Sequence, residues 1–474
     1  MLLKYDTLSQ TEQEKHRLSQ QITRELELFL APLLLILDEL LDKRLLRTCI
    51  QSMVAIMRFR NHKQGLLLSE LGSYMDSYDG LSATATAGTK RLGNFIRSLK
   101  WGRNIIEEYL LDQADREVER LKSLGKRVLC VWDGSVIEKP ESEKLEGLSP
   151  VVSSKAKRLR KSRKGVVYNV QGGKPITVAG MHWIGALITG MDGLAFVAIM
   201  DWWTTKGKYA TKQRNQEAML LTKLIGKWGQ LVIHVFDRGY ASGPWLEVLQ
   251  ACEAIFVIRW IKTHIFLDMH GIERKLWEIG RGKRYPFHKV ISDMSGQKFT
   301  CDLWWAAIRH ASYASQLYYV KVRVGKSVWR LITNEPVLTE EQAWRVFFTY
   351  RRRWKIEMSF RYGKSELAME SPRLWSWENR LKILSMVVLV YSFLLHLLGD
   401  IYSAMIESLL RLKCHRTGKR YKRTLVPLYR IRWALSRLWD DARPILGGFY
   451  PPNLDTIRAL SSFRMFDEFS QNSG

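Results

Sequence analysis

Apolar residues recur at three- and four-residue spacing through Leu26–Leu41 and Leu46–Met57. That is the period of helices with one buried face, and it predicts a helical region over residues 1–120. Small and turn-forming residues in Ser82–Trp101 lead into a short basic amphipathic run with Arg91, Leu92, Phe95, Ile96 and Leu99. This run suits either the second helix of a helix-turn-helix or a solvated basic face, and the chain's net positive charge favours the first, making 1–120 an expected DNA-binding domain. At Arg127 the texture changes. RVLCVWDGSVIE is a β-branched and apolar run, a buried strand with Asp133 at the end of its apolar part. A long polar stretch, Glu138 to Lys174, follows and reads as a loop or arm, because seven of the ten residues Lys155–Lys164 are basic. Beyond it the runs HWIGALITG (182–190), LAFVAIMDWW (194–203), QLVIHVFDRGY (230–240) and AIFVIRWI (254–261) read as strands. Helical runs precede and follow the third of these, so the order is β-β-β-α-β-α-β.

That order is the order of an RNase H-like fold. The expected class is α/β: an RNase H-like core over 121–261 and 337–400, interrupted by an all-β insertion over 262–336, with helical N-terminal and C-terminal regions. The insertion is marked by FTCDLWWAAI, LYYVKVRV and SVWRLIT. Helical pattern resumes at Thr339, where Thr339 and Gln342 make a capping box. It continues through a basic C-terminal region, 401–474, containing RTGKRYKR at 416–423. Ile383–Leu398 is apolar but only 16 residues long and carries Ser385, Ser392 and His396. A span needs about 20 apolar residues, so a buried core helix is expected and no membrane partner.

Charge sharpens this picture. Lys and Arg number 74 against 47 Asp and Glu, a net charge of +27. Such an excess repels itself unless a polyanion offsets it, and nucleic acid is the commonest polyanion. The five cysteines form no CxxC pair, which indicates neither a zinc ribbon nor a disulfide framework. The N-terminus turns polar too early for a signal peptide. A cytoplasmic, nucleoid-associated protein is expected.

Three carboxylates carry the candidate chemistry. Asp133 and Asp237 close hydrophobic strands, and two adjacent carboxylates repel unless a cation sits between them. Mg²⁺ suits such a site, since it takes a few carboxylates plus waters and phosphate oxygens. Asp192 and Asp201 are competing strand-end acids. The discriminating run is Y-R-R-R-W-K-I-E-M-S-F-R-Y-G-K, with Tyr350, Arg353, Glu357 and Lys364 at i, i+3, i+7 and i+14. On one continuous helix these four share an arc of about 60°. An exposed Arg353–Glu357 ion pair would explain two of them and leave the other two as coincidence.

The spacing Y-(2)-R-(3)-E-(6)-K resembles the signature of bacterial insertion-sequence transposases of the DDE group, insertion-sequence family four. VLCVWDGSVIEKP and VIHVFDRGYAS resemble that family's first and second acidic motifs, and the likeness covers about residues 127–398. It implies that Asp133, Asp237 and Glu357 are catalytic and bind two Mg²⁺ ions, for which Mn²⁺ is a substitute. Tyr350, Arg353 and Lys364 would contact phosphates near the transposon end. Arg238, Lys157, Arg158 and Arg160 are further DNA-binding candidates. Family members stack a flipped base on a Trp of the insertion, which makes Trp260, Trp304, Trp305 and Trp329 candidates. The implied activity is cut-and-paste transposition, in which a homodimer in a synaptic complex holds transposon-end and target DNA. A nuclease without strand transfer and a non-catalytic DNA-binding derivative are the alternatives. Both GKS tripeptides lack the preceding P-loop glycine, and neither HExxH nor GxSxG occurs.

Overall fold

The computed structural model describes residues 10–75, 84–142, 144–156, 159–162, 165–168, 173–292, 297–413 and 428–444, without side chains for 159–168. Two compact units divide the chain, and each draws on separated segments.

The first unit is helical. It begins with α1 (Gln10–Leu40), α2 (Lys43–Arg58), α3 (Leu68–Ser73) and α4 (Ala85–Arg97). Asp42 caps α2 by accepting from the Arg44 and Leu45 amides at 3.0 and 3.1 Å. α3 and α4 touch backbone to backbone, because a Cβ on Gly88 would stand 2.2 Å from the Gly72 carbonyl oxygen. Glycine is required at that crossing. α5 (Arg103–Ser123) leads out of this unit into the second.

The second unit is built on one large mixed sheet. Its strands are β1 (Val128–Glu138), β2 (Ser149–Val152), β5 (Thr177–Thr189), β6 (Ala195–Trp203), β7 (Val232–Phe236) and β8 (Ile255–Arg259). Between β2 and β5, β3 (Leu159–Ser162) and β4 (Gly165–Tyr168) pair with each other. The stretch expected to be a loop or arm therefore holds three short strands, and β2 is an edge strand on which Pro150 is tolerated. β1 runs parallel to β7 and β7 parallel to β8, whereas β1–β5 and β5–β6 are antiparallel. The spatial order β6-β5-β1-β7-β8 follows. α6 (Gln213–Trp228) leads into β7, and α7 (Gly243–Ala251) makes the crossover from β7 to β8 that parallel pairing demands.

The β-rich segment does not stand apart from this sheet. It comprises β9 (Ile265–Leu267), β10 (Glu273–Lys275), the helical turn α8 (Leu276–Ile279), β11 (Phe287–Ser292), β12 (Lys298–His310), β13 (Tyr313–Val324) and β14 (Ser327–Thr333). β14 pairs antiparallel with β8, so these strands lengthen the core sheet. The expected all-β insertion is thus a continuation carrying one short helix. One face of the sheet, with Trp132, Phe236 and Ile258, packs on α5, α6 and α7. α9 (Glu340–Arg351) covers β7, β8 and β12–β14 on the opposite face. It opens on the expected capping box, in which Thr339 accepts from the Gln342 amide and Gln342 from the Thr339 amide.

α10 (Trp354–Ser365) then crosses back to the helical unit. That unit is completed by α11 (Trp377–His396), α12 (Ser403–Lys413) and α13 (Leu428–Asp441). Among the described residues, α11 is the one helix long and apolar enough to cross a membrane, and 83% of its apolar window is buried. Its Lys382 is itself buried, donating to the carbonyls of Ile96 and Ser98 at 3.3 and 2.7 Å. Lys382 thereby caps the end of α4. α13 docks on α2 through Arg432, whose guanidinium donates to the Phe59 carbonyl and lies 4.2 Å from the Phe59 ring centroid.

Candidate active site

β1 does not end at Asp133. It runs five residues further, paired with β5, and what ends before Asp133 is the parallel ladder with β7, whose last partner pair is Val131 and Val235. The apolar run stops there because GSVIE faces partly outward, and its pairing with β5 carries the strand on. Asp237 is the first residue beyond β7. It caps a 3₁₀ turn, Arg238–Tyr240, with its Oδ1 accepting from the Gly239 amide at 2.7 Å. Both acids therefore stand at the carboxyl end of the parallel strands, where open α/β sheets place their sites.

Glu357 reaches them from α10. Gly185 lies directly opposite Asp133 across the β1–β5 ladder, and a Cβ there would meet the Phe360 ring at 3.0 Å. The missing side chain lets Phe360 lie against the sheet, where it also packs on Trp183 with ring centroids 4.4 Å apart. Phe360 is one turn beyond Glu357, so this contact seats the acid beside Asp133.

The expectation of a single continuous helix is corrected here. α9 stops at Arg351, and the amides of Arg352, Arg353, Lys355 and Ile356 bond three residues back rather than four. This tighter, 3₁₀-like winding breaks the 100° step, so Tyr350, Arg353 and Glu357 do not form one straight stripe. Tyr350 lies on α9, Arg353 in the turn, and Glu357 and Lys364 on α10.

Arg353 is the hub of what results. Its Nη1 donates to Asp133 Oδ2 at 2.9 Å and its Nη2 to Glu357, while its guanidinium carbon stands 5.7 Å from the Tyr350 ring centroid. Burial opposes its charge, but Tyr350, Asp133 and Glu357 more than offset this and raise its pKa. Asp133 is pushed up to about 6, first by burial and then by the like charges of Asp237 and Glu357, against the pull of Arg353 and the Gly134 amide. The three carboxylates are thus within electrostatic reach of one another.

A raised carboxyl pKa means that ionised Asp133 costs stability. Its favourable contribution is complete below the ordinary carboxylate range and is lost as pH rises through about 6. A loss on the order of 2 kcal/mol is expected across that window. Urea unfolding of the wild type and Asp133→Asn between about pH 4 and 7.5 checks this. Parallel stability curves would show that Asp133 titrates as an ordinary acid.

The donor set has the chemistry of a hard divalent cation, three carboxylates with no sulfur or imidazole. As placed, no group of three or more described His, Cys, Asp or Glu side chains is close enough to hold an ion. The Arg353 guanidinium is instead the cation bonded to both Asp133 and Glu357. The residues that would hold an ion are Asp133, Asp237 and Glu357.

Two residues that sequence reasoning passed over also stand here. Arg259 ends β8, on the face shared by Val257 and covered by α9. Its guanidinium lies 5.3 Å from the Trp329 ring centroid, and its charge acts on Tyr350. The signal was an arginine closing a buried strand. Trp354 opens α10 more than half exposed, between Arg353 and Lys355. Of the four expected stacking residues, Trp260 is 2% exposed among Phe266, His264 and His310, so as placed it is a core side chain. Trp304 packs edge-on to Tyr319 and Trp305 stacks on Phe287, both partly buried. Trp329 lies 5.5 Å from Tyr350, next to the carboxylates' neighbours. Arg238 is exposed in the turn after Asp237, and Lys364 is half-buried in the last turn of α10, within the helical unit. Lys157 and Arg158 lie outside the described residues, as does the Arg160 side chain.

No family model matches the sequence, and no curated protein matches it. A cryo-electron microscopy structure of a piggyBac transposase synaptic complex with hairpin DNA aligns over 94% of this chain and 85% of that one, at 12% identity and a TM-score of 0.37.

Proposed function

We propose that this chain is a DDE transposase that cuts DNA at the ends of an element and joins it to a target. The observation that carries the reading is Arg353 bonded to both Asp133 and Glu357, with Asp237 in electrostatic reach of Asp133, where the parallel β1–β7 ladder ends. The strand order β6-β5-β1-β7-β8, with β7 and β8 linked through α7, supports an RNase H-like core. The YREK spacing and the excess of 27 positive charges favour a DNA substrate over a small phosphoester.

In this reading Asp133, Asp237 and Glu357 would hold two divalent ions. When bound, these supply an activated water or 3′-hydroxyl and stabilise the leaving oxygen. Asp237 is oriented by the Gly239 amide, and Asp133 is fixed in a strand paired on its β5 side. Arg353 and Arg259 offer guanidinium donors to the phosphoryl oxygens, for which a planar fork is suited to bidentate contact. Tyr350 backs Arg353 from α9. The exposed face of α4, with Lys90, Asn94 and Arg97, offers donors toward a duplex groove. Two protomers would hold the paired element ends.

The test is a supercoiled plasmid bearing the element ends, incubated with the protein and Mg²⁺. Excision with target joining is the expected result. Nicking without joining would leave a nuclease, and binding without cleavage would leave a DNA-binding protein.

A further inference from the structure

We infer that Arg214 and Glu217, on the first turns of α6, are positioning residues for Asp237. Neither belongs to the acidic motifs, and neither touches the three carboxylates through any described hydrogen bond.

Glu217 is fully buried, and burial raises its pKa against the pull of Gln213 and Arg214. Arg214 Nη1 pairs with its carboxylate at 2.7 Å, and Gln213 Nε2 donates to it at 2.8 Å. The other guanidinium nitrogen, Arg214 Nη2, donates to the Gly239 carbonyl at 2.7 Å. The same guanidinium lies 5.4 Å from the Tyr240 ring centroid and 5.5 Å from that of Trp245, so both rings fix its plane.

Gly239 is therefore held on both sides of its Cα. Its carbonyl is gripped by Arg214, and its amide donates to Asp237 Oδ1 at 2.7 Å. The Tyr240 amide closes the turn on the Asp237 carbonyl at 3.2 Å. A continuous chain of hydrogen bonds thus runs from the buried Glu217 through Arg214 and Gly239 to the Asp237 carboxylate. With Arg214 gone, the Gly239–Tyr240 peptide keeps only the Tyr240 amide hydrogen bond to the Asp237 carbonyl, so the turn, and with it the carboxylate, is held less firmly. The pair is half-exposed at Arg214 and such pairs contribute little to stability, so its use here is geometric. Partners one step removed from a ligand commonly set ion affinity by 10- to 100-fold.

Two readouts on the DNA-free full chain test this. The first is amide hydrogen exchange at Gly239 and Tyr240, which involves no ion. Arg214→Ala is expected to speed it about ten-fold or more while β7 and β8 keep wild-type protection. The second is Mn²⁺ binding followed by the free-ion paramagnetic resonance signal, which is expected to weaken about ten-fold, with Arg214→Lys recovering part of the loss. Unchanged exchange in the turn overturns the inference. So does faster exchange throughout the sheet, which would mark Arg214 as merely structural. If Arg214→Ala fails to fold, Glu217→Gln answers the same question, because it releases Arg214 while keeping volume. The consequence for ion affinity rests on the proposed metal site. If the wild type binds no Mn²⁺, or Asp237→Ala binds it equally well, that reading fails, and the positioning role is then judged by exchange alone.

Discussion

Asp237→Asn is expected to lose cleavage of element-end DNA by roughly 10³-fold or more while the protein stays folded. Two effects compete in this substitution. Asp237 is an N-cap, and losing a cap costs about 1 kcal/mol, a few degrees of melting temperature at this size. Asparagine is itself a good cap, so most of that contribution survives, and the Gly239 amide keeps its acceptor. The lost charge is the larger matter. A divalent ion held at reacting oxygens contributes several kcal/mol, and about 4 kcal/mol corresponds to roughly 10³ in rate. The catalytic loss should therefore far exceed the structural one. Plasmid nicking in Mg²⁺ beside a calorimetric melt separates them. Wild-type cleavage by Asp237→Asn would end the metal-site assignment.

Arg353→Ala is expected to lower stability by about 3 kcal/mol at neutral pH, since it leaves two partly buried carboxylates facing one another without their shared cation. The sign with pH follows. Removing Arg353 takes away the strongest influence holding the Asp133 pKa down, so that pKa rises further above about 6. The penalty is then present above that pKa and disappears as acid protonates Asp133. A divalent ion should substitute for the guanidinium and recover stability at neutral pH, by mass action on the folded state. Urea unfolding at about pH 5 and 7.5, with and without Mg²⁺, reads all three effects. Arg353→Lys should recover only part, because an ammonium cannot fork between two acids. A variant as stable as wild type at neutral pH would show that the bridge carries no energy.

The strands and the three acids were legible because they are local signals. A β-branched run ending in an acid is visible in ten residues, and so is Thr339 with Gln342 at the start of α9. What escaped depends on residues distant in sequence. Nothing in YRRRWKIE announces that the backbone tightens at Arg352 and Arg353, because that winding accompanies the seating of Phe360 on Gly185, 175 positions apart. Arg259 was passed over beside Trp260 because an arginine in an apolar run carries no period of its own. Trp260 was expected to be available for stacking because the sequence does not say that the residue after β8 is enclosed by His264, Phe266 and His310. Arg214 and Glu217 look like an ordinary helix pair until the Gly239 carbonyl appears beside them.

Because β14 continues the sheet from β8, Glu357 reaches its place beside Asp133 only after the whole β-rich segment. Asp133 and Asp237 are brought together by the β1–β7 pairing, which itself joins residues about a hundred positions apart, and Glu357 follows a second excursion of similar length whose strands extend the sheet from the open side of β8. Closing such a long loop is slow, as in other chains dominated by non-local pairing. A nascent chain therefore passes through a stage with two acids and no third. On renaturation from urea, recovery of tyrosine and tryptophan signals from the core should precede recovery of divalent-ion binding. In the proposed function, the three acids stand together only once the sheet is complete, so the order of synthesis would itself act as a safety interval.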